Sequence, residues 1–240
     1  MTLPFLLLLA AAPAIQSPPQ AVARLRAAKG EAGMKAAVKD VTGACRGKLR
    51  HSLRDHPALH AEAKRIATTR SNGERKAALD LFRCFTPKKM MALIEPNLRG
   101  DDDAMIAYAA EVGARLESPL TVPPLLDVLA AKKPKCLAGG LDAAKTEVCV
   151  WLTYAIGPGL TGADDATKKT AGAAAVEMLD APQAKVREVA VEAVTATGDK
   201  THAKAIRALI AKEKKGAFAD KNDAALLRRF AKRAKSLGGR

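Results

Sequence analysis

Apolar residues in the second half of the chain recur every three or four positions, the period of a helix buried along one side. Val186, Val189, Ala190, Ala193 and Val194 form one such stripe, and the pattern assigns the intervening Arg187, Glu188 and Glu192 to water. Gly198 ends this helix, Asp199 or Thr201 caps the next, and Ala205, Ile206, Leu209 and Ile210 form its buried stripe. The same phrase stands twice more upstream, at residues 145–157 (KTEVCVWLTYAIG) and 105–116 (MIAYAAEVGARL). Cys149 takes the place of Ala190, and Leu152 that of Ala193, at a shift of 41; Ala109 and Val112 take them at 81. Each copy precedes a second apolar helix, predicted at 122–131 and 170–179 in the two earlier units. The middle unit carries a longer linker, residues 158–165 (PGLTGADD), which is a candidate contact loop.

Upstream of residue 100 the pattern predicts helices over 34–45, 56–67 and 75–85, without the repeated phrase. No stretch holds a strand-like alternation for long, and Ala, Leu, Lys and Arg dominate, so the expected class is all-α. A helix pair cannot bury its apolar face alone, and units spaced near forty residues are expected to stack.

The phrase VREVAVEAVTATGD at residues 186–199, with Val-Arg, then Ala, then Ala, then Gly-Asp, resembles the first helix of the HEAT repeat family, including its PBS-lyase-type short repeats. The resemblance covers residues 101–215. It departs at Lys145-Thr146, which replace Val-Arg, and at 105–116, which lacks the final Gly. It implies an alpha-alpha solenoid, a right-handed superhelix of HEAT-like helix pairs, and a family composed mostly of binding scaffolds. The motif is structural and transfers no functional residues. A globular helical bundle with accidental likeness between helices is the alternative. A tetratricopeptide-type array is disfavoured because its bulky aromatic positions are missing from a chain with one Trp, two Tyr and five Phe.

On this reading the chain divides into a signal peptide (1–16), a flexible lead-in (17–30), degenerate N-terminal helical repeats (31–100), HEAT-like repeats (101–215) and a basic capping helix (216–240). Residues 1–16 (MTLPFLLLLAAAPAIQ) combine a short apolar run with small residues at A-x-A spacing, although no Lys or Arg precedes the run. The run is too short to span a bilayer, which takes about 20 apolar residues. The expected location is therefore outside the cytoplasm, periplasmic or extracellular. Four cysteines, Cys45, Cys84, Cys136 and Cys149, agree with export. Three pairings are open, and Cys45–Cys84 with Cys136–Cys149 is preferred because each joins neighbouring units; four buried free thiols are the alternative. The spacings are too wide for a zinc site.

Charge narrows the partner chemistry. The formal net charge is +15, and its order along the chain is basic, acidic, basic. Residues 20–99 hold 18 Lys or Arg against 7 Asp or Glu, residues 100–199 hold 9 against 15, and residues 200–240 hold 13 against 3. Such an excess attracts acidic proteins, anionic lipid and anionic polysaccharide. The predicted C-terminal helix, residues 223–235, sets Leu226, Leu227, Phe230 and Ala234 against a basic side of Arg228, Arg229, Lys232, Arg233 and Lys235. These five are the candidate binding-surface residues, beside the exposed charges of the N-terminal helices. Nucleic acid is disfavoured, since there is no zinc finger, Gly-rich phosphate loop or aromatic ladder.

Other chemistry is thin. His51, His56 and His60 could reach one another across a turn, yet no carboxylate or Cys completes a metal pattern, and surface histidines are the better reading. Asp101-Asp102-Asp103 lacks the Gly and Glu of an EF-hand and reads as an acidic helix start. No Ser, His and acid set has a nucleophile setting. No catalytic, cofactor or metal residue is assigned. The expected function is that of a non-enzymatic exported scaffold engaging a protein or an anionic envelope component. A metal-dependent or lyase-like enzyme on the repeat scaffold is the alternative.

Overall fold

The computed structural model describes residues 13–140 and 142–238, and all regular structure among them is helical. The proposed signal segment falls mostly on residues 1–12, outside the described part. The first helix, α1 (Pro18–Ala27), replaces the expected flexible lead-in. Proline at its N-terminus is preset for a helical turn, and Ala21, Val22 and Leu25 supply enough apolar surface to dock it.

There follow α2 (Gly30–Arg46), the single turn α3 (Arg50–Leu53), α4 (Pro57–Thr69) and α5 (Asn72–Leu79), the last running into a 3-10 turn, Asp80–Cys84. Next come α6 (Pro87–Leu98), α7 (Asp103–Arg115), α8 (Val122–Ala138), α9 (Ala143–Gly159) and α10 (Asp165–Glu177). The chain closes with α11 (Ala184–Ala196), α12 (Ala203–Lys214) and α13 (Ala224–Gly238).

Capping residues set the boundaries. Ser71 and Glu74 form a reciprocal capping box on α5. Asp102, Asp142 and Asp164 accept backbone N–H groups at the starts of α7, α9 and α10. The Asp101–Asp103 run is thus a helix start, with Asp103 also bound by Lys132 at 2.7 Å. Asp55 takes the left-handed conformation (φ 58°), and its Oδ1 accepts the Thr86 N–H at 2.8 Å, tying the start of α4 to that of α6.

The helices pack in two rows. In one, α2 touches α5, α5 touches α7, and contact continues through α9 and α11 to α13. In the other, α1, α4, α6, α8 and α10 follow one another in the same way. The closest consecutive pairs are α4–α5, α6–α7, α8–α9, α10–α11 and α12–α13. The repeat phrase grouped the helices one step earlier, α7 with α8 and α9 with α10, so the unit boundary moves by one helix.

Small side chains permit the tightest contacts: Ala107, Ala109, Ala110 and Ala114 of α7 are all buried. Gly172 of α10 leaves no room for a side chain, since a Cβ there would lie 2.3 Å from Cε1 of His202.

Two further expectations are corrected. The linker 158–165 is largely consumed, because α9 runs through Pro158 to Gly159 and Leu160 and Ala163 are buried. Arg187 does not face water. It is fully buried, and Nη2 lies 2.8 Å from Glu213 Oε1. The guanidinium also donates to the carbonyls of Ala181, Pro182 and Asp220 and lies 3.9 Å from the centre of the Phe218 ring. It ties the turn before α11 to the segment between α12 and α13.

Candidate binding surface

The sequence patterns leave α2 one free side. Met34, Ala37, Val38, Val41 and Cys45 face the core, and Lys35, Lys39 and Arg46 follow at one- and two-turn intervals on the flank. Across from them the 3-10 turn Asp80–Cys84 presents Phe82 and Arg83, and α7 presents Arg115. Together they enclose a groove of about 620 Å³. Its floor is apolar, with Val38 and Ala77 buried and Phe82 half-buried; its walls hold five cations and one carboxylate, Asp80.

Electrostatics within the groove are uneven. Lys35 is paired with Glu31 at 2.6 Å, and the lysine holds that carboxyl below its usual range, first by hydrogen bonding. Arg115 is paired with Glu111 and lies 3.7 Å from Asp80. Asp80 accepts the Tyr108 hydroxyl at 2.7 Å, and burial, then this bond, push the Tyr108 phenol well up. Among the described residues, Lys39, Arg46 and Arg83 have no acidic partner.

A covalent bond fixes the two walls. Cys45, at the end of α2, and Cys84, at the end of the 3-10 turn, are joined, with Cα atoms 5.4 Å apart. The second bond, Cys136–Cys149, joins α8 to α9 across a sequence separation of 13. Both expected pairs therefore stand at bonding distance.

The five basic residues of α13 are all exposed, while Phe230, Ala234 and Leu237 seat the helix on the core. Two of the five are spoken for: Arg229 lies 3.2 Å from Glu188 and Arg233 2.8 Å from Glu192, both on α11. Arg228, Lys232 and Lys235 remain without an acidic partner among the described residues. Between these two basic regions Trp151 and Tyr154 of α9 meet edge to face, ring centres 5.6 Å apart, with Tyr154 39% exposed.

The histidines do not converge. His51 is exposed on α3, whereas His60 Nε2 lies 3.0 Å from the Lys89 carbonyl and its ring packs against Phe85. His56 borders a separate apolar depression of about 580 Å³ beside α1. Among the described residues no three His, Cys, Asp or Glu side chains gather as a metal site. Asp142 and Asp164 cap α9 and α10, and the Thr167 backbone N–H holds the Asp164 carboxyl below its usual range.

Reading by apolar pattern overlooked the groove because it tracked buried stripes. The signal was available on the opposite flank: Lys35, Lys39 and Arg46 share a helical side of α2, and a Phe-Arg pair immediately precedes a bonded cysteine.

No protein-family model matches the chain, and no curated protein is significantly similar to it. Among solved structures, a crystal structure described as that of an engineered protein is similar in fold, with a TM-score of 0.58 over 93% of this chain and 97% of that one. The two share 15% sequence identity, so the likeness concerns the fold alone.

Proposed function

We propose that this protein is a non-enzymatic, exported scaffold that engages a protein or an anionic envelope component through a helical-repeat surface. Its architecture is read as a right-handed solenoid of HEAT-like helix pairs. The two rows of neighbour-on-neighbour helices and the recurring phrase of α7, α9 and α11 support that reading. Export is supported by the apolar N-terminal run and by cysteines paired at both sites. The same two features support a periplasmic or extracellular location.

The observation that carries the binding role is the basic, apolar-floored groove, whose walls are held by Cys45–Cys84. A backbone already fixed in packed helices loses little freedom when a partner docks. No helix among the described residues is long and apolar enough to cross a membrane.

The test is an affinity capture from an envelope extract with the purified oxidised protein as bait, at low and high salt. A partner retained at low salt and released at high salt is expected, because exposed charges are screened within about 8 Å at physiological ionic strength. Capture that ignores salt, or the absence of any protein, anionic lipid or polysaccharide ligand, would overturn the reading.

A further inference from the structure

The groove between α2 and the 3-10 turn Asp80–Cys84 has a shape and charge pattern more specific than a generally basic surface. Its unpaired cations are spread out: Lys39 and Arg46 lie two turns apart on α2, and Arg83 stands on the facing wall. From Lys39 to Arg46 the row of unpaired cations runs for about 10 Å along the helix, at 1.5 Å per residue. A single phosphate or carboxylate would reach one or two of these charges, so the row fits an extended ligand carrying several.

The floor discriminates among extended anions. Phe82, half-buried, offers apolar contact below the cations, backed by the buried Val38 and Ala77. A bilayer surface is flat and cannot bring its headgroups into a concave slot between helices. An anionic polysaccharide has no apolar side chains to set on that floor. Single-stranded nucleic acid stacks successive bases on several aromatic faces, whereas Phe82 is the one aromatic side chain that lines the groove. Asp80 in the wall would repel a uniform polyanion, but it can accept a backbone N–H. A peptide in extended form supplies all of these partners, and about three residues at 3.3 Å each match the length of the row.

We propose that this groove receives an extended acidic peptide segment of a partner protein, with an apolar side chain against Phe82 and carboxylates on Lys39, Arg46 and Arg83. The assignment rests on the scaffold reading above and deepens it by naming site and ligand class. The Cys45–Cys84 bond presets the distance between the walls, so that docking requires no rearrangement of α2 against the turn.

The experiment measures fluorescence anisotropy of a labelled hexapeptide alternating Glu with Leu or Phe, using the oxidised protein at low salt. Its Gln-for-Glu counterpart, phosphatidylglycerol vesicles and alginate are run beside it. The acidic peptide is expected to bind about tenfold or more tighter than the Gln peptide, and K39E/R46E/R83E is expected to lose at least about tenfold in affinity. R228E/K232E/K235E on α13 is expected to stay within about twofold of the parent. The neutral variant K39Q/R46Q/R83Q, checked by circular dichroism for an unchanged helix signal, replaces the triple reversal if that one does not fold.

Equal binding of the Gln peptide, or full binding by a folded groove variant, overturns the assignment. Binding of vesicles or alginate alone, lost in the α13 variant, overturns it too but leaves the scaffold reading standing. No binding by any of the four probes, together with an empty envelope capture, removes both.

Discussion

Arg187 shows how a single residue can reverse its expected place. Its neighbours Glu188 and Glu192 are charged, and the stripe counted from Val186 leaves it outside. Counted from Arg187 itself, however, positions three, four and seven further on are Ala190, Val191 and Val194, all buried. The helix α11 lies between α9 and α13 and is covered on more than one side, so a single stripe understates its buried arc. Glu213, itself buried, accepts both from Arg187 and from the Asn222 side chain at 2.6 Å. Arg187→Met would strip the charge partner from a buried carboxylate, and it is expected to cost about 3–5 kcal/mol. Replacing both members, as in R187M/E213M, should cost clearly less, because no lone charge is left inside. Urea denaturation of the two variants checks this; equal losses, or a loss under about 1 kcal/mol for Arg187→Met, would show that the pair adds little.

At the level of elements, the two disulfides close loops of different size. The chain-entropy relation gives about 4 kcal/mol for the 39-residue separation of Cys45–Cys84 and about 3 kcal/mol for the 13-residue separation of Cys136–Cys149. C45S/C84S is therefore expected to lower the denaturation midpoint more than C136S/C149S, as measured side by side in guanidinium; the reverse order would mean that local packing outweighs loop closure. Most helices were legible beforehand, because apolar periodicity at 105–116, 145–157 and 186–198 survives even where Cys149 or Leu152 replaces Ala. Helix α1 was not, because its three buried residues lie within a Pro-rich opening that reads as unstructured. Helix α6 was missed as well, since Pro96 near its end and Lys88-Lys89 near its start mask the stripe of Met90, Leu93, Ile94 and Asn97. The basic helix α13 was legible as an amphipathic helix, but its ion pairs with Glu188 and Glu192 depend on which helix lies beneath it. The groove depends on three segments meeting, and that juxtaposition is not a local property of any of them.

Among the described residues, helices touch chiefly those one to three places along the chain, so a disturbance has few routes to a distant part. The two ends are held by different means. Near the start, Cys45–Cys84 clamps α2 to the turn that follows α5. Near the finish, Arg187 gathers Ala181, Pro182, Glu213 and Asp220 without any covalent link. Hydrogen exchange is expected to separate the two. C45S/C84S should speed amide exchange in α2 and α5 and leave α11–α13 nearly unchanged, whereas Arg187→Met should do the opposite. Uniform acceleration along the chain in either case would mean that the helices unfold as a single unit. With separate fastenings, each end tolerates the failure of the other: loss of the Cys45–Cys84 bond would slacken the peptide slot and spare the far terminus, and a fault at the far terminus would leave the slot in working order.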